Sequence, residues 1–330
     1  MLELFPWHRS QWQLLDAAIK HNKLHHAMLL TGPDGTGLGD FANLLAARLL
    51  CHQAGAEFMC GNCNSCLLFK AGNHPDLMLL EPEEAGKQIK VDLVRELITY
   101  MQLTNQYGRK KIAIIDPAEA MNRSSANSLL KTLEEPPPNT LFILISHQPG
   151  ILPVTIRSRC QRMLFPPNYS PTTISWLTQK VGRNDIDVTE LLDIARGAPL
   201  KALQMLEQDP TGKRQSLLQD LIDIRHTNVN AVKIAEKWLS FDAEQVLLWL
   251  MSFFQHITCL KLAPDNPQTG NSSGMSGMQE LANELDLAGL VACYDEAAQH
   301  YQALRGPFNL NKQSVLESMI IYWQTTAKHS

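Results

Sequence analysis

The stretch HHAMLLTGPDGTGLGD, residues 25–40, decides how the rest of the chain is read. Its first eight residues form an apolar strand that ends at Gly32. DFANLLAARLLC (40–51) follows, with Phe41, Leu44, Leu45 and Leu49 on one helical face. Between strand and helix, Gly32 and Gly37 carry the spacing of a phosphate-binding loop, G-x-x-x-x-G-K-[ST], with Gly35 in the turn between them, in the strand–turn–helix setting that motif needs. The two side chains that would neutralise phosphate and hold magnesium are replaced, Lys by Leu38 and Ser or Thr by Gly39. A nest of backbone amides at a helix N-terminus still attracts an anion weakly. The stretch therefore predicts a relic phosphate loop that does not support hydrolysis.

Working outward, DLMLLE (76–81), KIAIID (111–116), TLFILIS (140–146) and RMLF (162–165) are further strands. VDLVRELITYM (91–101) and SANSLLKTLEE (125–135) carry helical periodicity between them. Near-continuous apolar strands alternating with helices predict a parallel sheet covered on both faces. EEPPPNT closes the second helix, because proline disfavours helix in the residue before it. After FPPNYSP (165–171) the pattern is helical throughout: a short unit to about 207, then a longer one whose most apolar segment is WLSFDAEQVLLWLMSFFQHI. PDNPQTGNSSGMSG (264–277) is expected to be a surface loop.

Composition narrows the function. A length of 330 residues allows two or three domains, and 45% hydrophobic with 19% charged residues is ordinary for a globular chain. Sixteen basic and 15 acidic residues precede Pro167, while 13 and 18 follow it. Neither half has the basic excess of a protein that grips nucleic acid alone. No apolar run approaches the ~20 residues of a membrane span, and MLELFPWHRS lacks the pattern of a secretion signal, so a cytoplasmic protein is expected.

Cys51, Cys60, Cys63 and Cys66 lie within sixteen residues, whereas Cys160, Cys259 and Cys293 are scattered. Four clustered thiolates suffice for a closed tetrahedral zinc site, and this distribution fits a reducing compartment better than a disulfide framework. An iron–sulfur cluster is the alternative, but the ferredoxin run then wants Cys and Pro where Lys70 and Ala71 stand. In IAIIDPAEAM (112–121), Asp116 ends an apolar strand as a magnesium-holding carboxylate would. The glutamate that orients water in such ATPases is replaced by Pro117, and Glu119 is two residues too far along to take its place.

HHAMLLTGPDGTG, the cysteine cluster, AGNHPDL, NSLLKTLEEPP and IRSRCQR occur in the order found in bacterial DNA polymerase III clamp-loader subunits, which are AAA+ proteins. The chain resembles that family strongly over residues 1–207 and in helical character beyond. The resemblance implies a P-loop-like α/β AAA+ module over 1–166 with a zinc-binding insertion at 51–66, a helical lid over 167–208, and an all-α oligomerising collar over 209–330. It implies that Arg159, in the Ser-Arg-Cys motif at 158–160, is an arginine finger reaching ATP held by a neighbouring subunit. A planar, permanently charged guanidinium suits that task. Cys160 reads as a small buried hydrophobe.

GAPLKAL (197–203) resembles the segment where the motor subunit sets an Arg against its own nucleotide; here that position is Leu200, with Lys201 turned about 100° away. Leu38, Gly39, Pro117 and Leu200 together imply a non-hydrolysing, stator-like subunit of the polymerase complex that binds no ATP itself. Its implied partners are the gamma/tau motor subunits and the delta subunit, with the sliding clamp and primed DNA met through the complex. The alternatives are an ATP-binding motor-type subunit and a stand-alone zinc-dependent nucleic-acid binder.

Overall fold

The computed structural model describes residues 3–53, 58–84, 86–107, 109–183, 186–206, 210–227, 230–262, 275–304 and 310–326. The apolar runs become β1 (Ala27–Thr31), β2 (Leu77–Leu80), β3 (Lys111–Ile115), β4 (Thr140–Ser146) and β5 (Gln161–Leu164). All five lie parallel in one sheet, ordered β2-β3-β4-β1-β5. The three central strands are buried at every position, which is why they read as unbroken apolar runs.

Side chains still alternate between faces. Leu141, Ile143 and Ile145 pack with α1 (Arg9–Lys20) and α2 (Leu38–Leu50), while Phe142 and Leu144 pack with α4 (Val91–Gln102) and α5 (Arg123–Glu134). Between α2 and β2 lies the short α3 (Asn64–Lys70). Asn122 caps α5 by accepting the Ser125 N–H at 2.9 Å, and the helix stops at Glu134 before three prolines. α1 was not among the segments read as helical, yet Trp12 and Leu15 bury its inner face.

Contacts divide the chain into two compact units, Met1–Gln204 and Met205–Ser330. The first contains the sheet, a one-turn α6 (Val154–Arg157), α7 (Pro171–Val181), α8 (Val188–Ile194) and most of α9 (Pro199–Met205). The second is helical in its described residues: α10 (Pro210–His226), α11 (Ala231–Leu239), α12 (Ala243–Leu262), α13 (Met275–Glu284), α14 (Leu287–Leu304) and α15 (Lys312–Thr326). α12 is buried around most of its circumference, as a central helix must be. Trp323 and Trp238 donate their indole N–H groups to the Leu221 carbonyl (3.0 Å) and the Asp220 carboxylate (2.9 Å). Of the loop expected at 264–277, residues 264–274 lie outside the described residues and 275–277 open α13.

The NHPDL segment entering β2 is a buried clasp. Asp76 is wholly buried and accepts the Gln106 and Tyr107 N–H groups at 2.8 and 2.9 Å, with Lys111 Nζ at 3.6 Å. The Lys111 ammonium also lies 4.3 Å over the Tyr100 ring, whose hydroxyl donates to the Pro75 carbonyl. Breaking a buried pair strands the remaining charge at a cost of ~3–5 kcal/mol. Asp76→Asn is therefore expected to destabilise the first unit by about 3 kcal/mol or more. Urea unfolding followed by circular dichroism checks this, and a loss below about 1 kcal/mol would contradict it.

Candidate functional site

In an open parallel sheet, ligands collect at the carboxyl ends of the strands. Here that edge carries the relic loop after β1, Asp116 after β3, and Ser146 with His147 at the end of β4. The Gly32 N–H donates to the Ser146 carbonyl at 3.3 Å, and His147 Nδ1 lies 3.1 Å from the Gly32 carbonyl. Thr36, almost fully buried, turns its hydroxyl onto the Pro33 carbonyl at 2.7 Å.

Two other parts of the chain lie against the loop. Gly35 and Gly37 have φ of +81° and +82°, the left-handed region that favours glycine. The Leu200 N–H donates to the Gly35 carbonyl at 3.0 Å, so the first turn of α9 lies on the loop backbone. A Cβ at Gly35 would stand 2.4 Å from Lys201 Cβ, and one at Gly37 would stand 2.8 Å from the Phe5 ring. Lys201 Nζ reaches no closer than 3.8 Å to the exposed Asp34 carboxylate. Leu38, at the position of the phosphate-binding lysine, is 1% exposed and packs in the core with Phe41 and Phe165.

Rings extend this closure. Phe5 and Trp7 stack at 4.8 Å, and Trp176 of α7 stands edge-on to both, at 5.6 and 4.9 Å. Trp7 Nε1 and His8 Nε2 both donate to the Thr36 carbonyl, at 2.9 and 2.8 Å. His8 is wholly buried, and that burial lowers its pKa to about 4 against the opposing Thr36 hydrogen bond. With Nε2 donating, neutral Nδ1 has no partner, and protonation there would strand a buried N–H.

Burial raises the Asp116 pKa, with His147 opposing from 4.0 Å. Asp116 Oδ2 would lie 3.4 Å from a Cβ on Gly39, so the two motif remnants are neighbours. Glu119 Oε1 accepts the His147 and Gln148 N–H groups at 2.8 and 2.9 Å, which fixes the turn after β4.

The cysteine cluster lies between α2 and β2. Cys51 follows α2, Cys63 precedes α3 and Cys66 lies in its first turn. Their sulfurs and that of Cys60 all fall within 4.8 Å of one another, and the Cys60–Cys66 separation is 3.7 Å. A tetrahedral metal with ~2.3 Å bonds to sulfur wants sulfurs about 3.8 Å apart. The Cys60 and Cys63 N–H groups point at the sulfurs of Cys51 and Cys60, at 3.3 and 3.4 Å. Backbone hydrogen bonds, from Asn62 first, lower the Cys60 pKa to about 6, whereas burial pushes Cys66 up to about 12. A cation shared by all four sulfurs removes that conflict, so the set could hold one metal ion. Residues 54–57 of the insertion lie outside the described residues. Ser65 bridges the Leu50 carbonyl and His74 Nε2, at 2.7 and 2.8 Å, and so ties α3 to the NHPDL clasp.

Arg159 lies elsewhere. It precedes β5 by two residues, and Gln161 pairs with Met28, so it sits at the amino edge of the sheet. Three residue steps along β1 separate that level from Thr31, which at ~3.3 Å per residue puts the loop after β1 about 10 Å or more away. Its guanidinium donates to Glu134 Oε1 through Nε at 2.8 Å and through Nη2, and to the Thr155 carbonyl through Nη1 at 2.9 Å. Ile151 and Val154, 62% and 67% exposed, flank the same segment. Neighbouring Cys160 is half-buried rather than buried as expected, and burial raises its thiol pKa to about 12, which disfavours the reactive thiolate. The sequence singles out the loop, Asp116, Arg159 and the cysteines, but gives no sign of the contacts that Phe5, Trp7, His8, Trp176 and Glu134 make with them or beside them.

A five-stranded parallel sheet with a glycine-rich strand–turn–helix loop at its carboxyl edge, followed by helices, is the class these features define. Residues 7–169 match the family model described as DNA polymerase III, delta subunit, and 208–325 match its C-terminal model. The chain is 34% identical to the DNA polymerase III subunit delta' of Pseudomonas aeruginosa over 98% of both chains. It is 28% identical to that of Escherichia coli, over 96% of this chain and 94% of the relative. A tau/gamma subunit of Haemophilus influenzae is 41% identical, over 43% of this chain and 20% of its own length. The chain belongs to the delta' subunits of DNA polymerase III and is a clamp-loader subunit related to tau/gamma. No helix among the described residues is long and apolar enough to cross a membrane.

His8 gives this edge a pH signature. Its pKa is about 4 folded against 6.5 as a free side chain, so between those values the unfolded chain binds more protons. Its contribution is complete above pH 6.5, falls as pH drops to 4, and levels off below, a total of about 3 kcal/mol. Subtracting urea-unfolding free energies of His8→Gln from those of the native chain across that window should leave this slope. A flat difference would show that His8 is not held neutral.

Proposed function

We propose that this chain is a non-hydrolysing, stator-like clamp-loader subunit that lends Arg159 to the ATP site of an adjacent gamma/tau motor subunit. With those subunits and delta it helps place the sliding clamp on primed DNA in the cytoplasm. The observation that carries the reading is the position of Arg159. It is partly exposed at the amino edge, about 10 Å or more from the chain's own loop, so in this reading the phosphate it meets belongs to another molecule. The burial of Leu38 and the contact of Leu200 with the loop support a chain that holds no nucleotide of its own, and they weigh against a motor-type subunit. The 1–166, 167–208 and 209–330 division into module, lid and collar belongs to the same reading.

For the cysteines we infer a structural zinc ion. Cys51, Cys60, Cys63 and Cys66 offer four sulfurs and no open position, the donor set of a closed zinc site rather than a catalytic one. Elemental analysis of the native protein should find one zinc per chain and little iron. Cys63→Ser should lower both zinc content and melting temperature, and unchanged values would remove these ligands from consideration.

The test of function is a reconstituted complex. An arginine finger is worth ~10³–10⁵ in rate at the site it serves, and Lys cannot reproduce its planar fork. Arg159→Ala and Arg159→Lys should both leave assembly intact by gel filtration. Both should lower clamp- and DNA-stimulated ATPase in part, because only the site that Arg159 serves is lost. Full ATPase and clamp loading in the assembled mutant would return Arg159 to an ordinary surface charge.

A further inference from the structure

The Arg159 guanidinium is not free in this chain. Its Nε and Nη2 groups converge on one oxygen of Glu134, and Nη1 is taken by the Thr155 carbonyl and the Ser158 hydroxyl, the latter at 3.4 Å. Glu134 is the last residue of α5, fixed there by the prolines that end the helix. Ile156, wholly buried, anchors α6 beneath Arg159. His26 Nε2 meets the Leu133 carbonyl at 2.9 Å, which holds the end of α5 against the entry to β1. Both partners are thus presented by rigid elements, while their charged ends remain accessible, with side chains 32% and 49% exposed.

We propose that Glu134 is a positioning residue that holds Arg159 in a parked state and competes with the incoming phosphate of the neighbouring subunit. This rests on reading Arg159 as a trans-acting finger. A carboxylate and a phosphoryl oxygen want the same N–H groups, so a guanidinium engaged by Glu134 must exchange one anion for the other. The Thr155 carbonyl bond keeps the side chain extended beside α6 during that exchange. Glu134 therefore sets how readily the finger leaves, and with it the apparent ATP affinity of a site to which this chain contributes no phosphate loop. The ion pair is partly solvent-exposed, and such pairs are worth up to ~1 kcal/mol, or about fivefold in an equilibrium.

The experiment is steady-state ATPase of reconstituted clamp loader containing the full chain as native, Glu134→Gln, Glu134→Asp or Arg159→Ala, with clamp and primed DNA present. Glu134→Gln keeps an acceptor oxygen but loses the competing charge, and should lower the apparent KM for ATP about two- to fivefold with kcat unchanged. Glu134→Asp keeps the charge and should stay within about twofold of native. A raised KM or reduced kcat in Glu134→Gln, in the direction of Arg159→Ala, would overturn the competition and make Glu134 an aid to the finger. Native kinetics in Glu134→Gln beside a defective Arg159→Ala would overturn it too, leaving the finger intact. Native kinetics in Arg159→Ala would instead overturn the finger reading on which the proposal stands.

Discussion

The hydrogen bond from the Leu200 N–H to the Gly35 carbonyl fixes the geometry of the nucleotide edge. Alone it contributes only about 1 kcal/mol. Its importance lies in how close it brings two backbones. With Lys201 Cβ where a Gly35 side chain would begin, residue 35 has no room for one. Thr36, carried along by the same turn, presents its carbonyl to Trp7 and His8, and these bring Phe5 and Trp176 into one aromatic group. Large rings packed edge to face stabilise beyond their buried area. A loop shaped to receive a ligand is thereby fastened by protein groups on each side.

The polar groups of the first unit divide along the same axis. At the carboxyl edge Asp116 is burdened by burial, Glu119 secures a turn, and His8 stays neutral. At the amino edge Arg159 and Glu134 remain in contact with water. Beyond β2, the cysteine module joins the sheet through Ser65, His74 and Asp76, a chain of hydrogen bonds with little exposed surface. A metal held at 51–66 would thus be coupled to the strand beside it rather than carried on a loose appendage.

How much of this was legible depended on range. β4 falls on the residues read as its strand, and the other strands differ by a residue or two at their ends, because unbroken apolar runs between turn residues are a local signal. The cysteines were equally plain, since four donors within sixteen residues need no fold to bring them together. Leu38 could be read as a missing lysine, but its burial could not, because the cluster it packs in also takes in Ile143, Ile145 and Phe165, over a hundred positions away. The pairing of Glu134 with Arg159 spans 25 residues and that of Trp7 with Thr36 spans 29. Neither leaves a periodic trace. α1 carries its own local signal, Trp12, Leu15 and Ile19 at three- and four-residue spacing, which the sequence reading does not use.

Leu38 also bears on what a lysine at its position would cost. Its side chain now belongs to the hydrophobic interior with Phe41 and Phe165. Putting an ammonium there costs several kcal/mol in desolvation and gives up another ~1.5–3 kcal/mol of apolar burial. Against a typical folding margin of ~5–15 kcal/mol, that single step would leave most of the population close to unfolding. Nothing would offset the loss, because Gly39 would still lack its hydroxyl and Leu200 would still cover the loop. Each change helps only if the others are made with it. Leu38 is thus part of the packing that keeps the chain folded, and a lysine cannot be set there without first rebuilding the core around it.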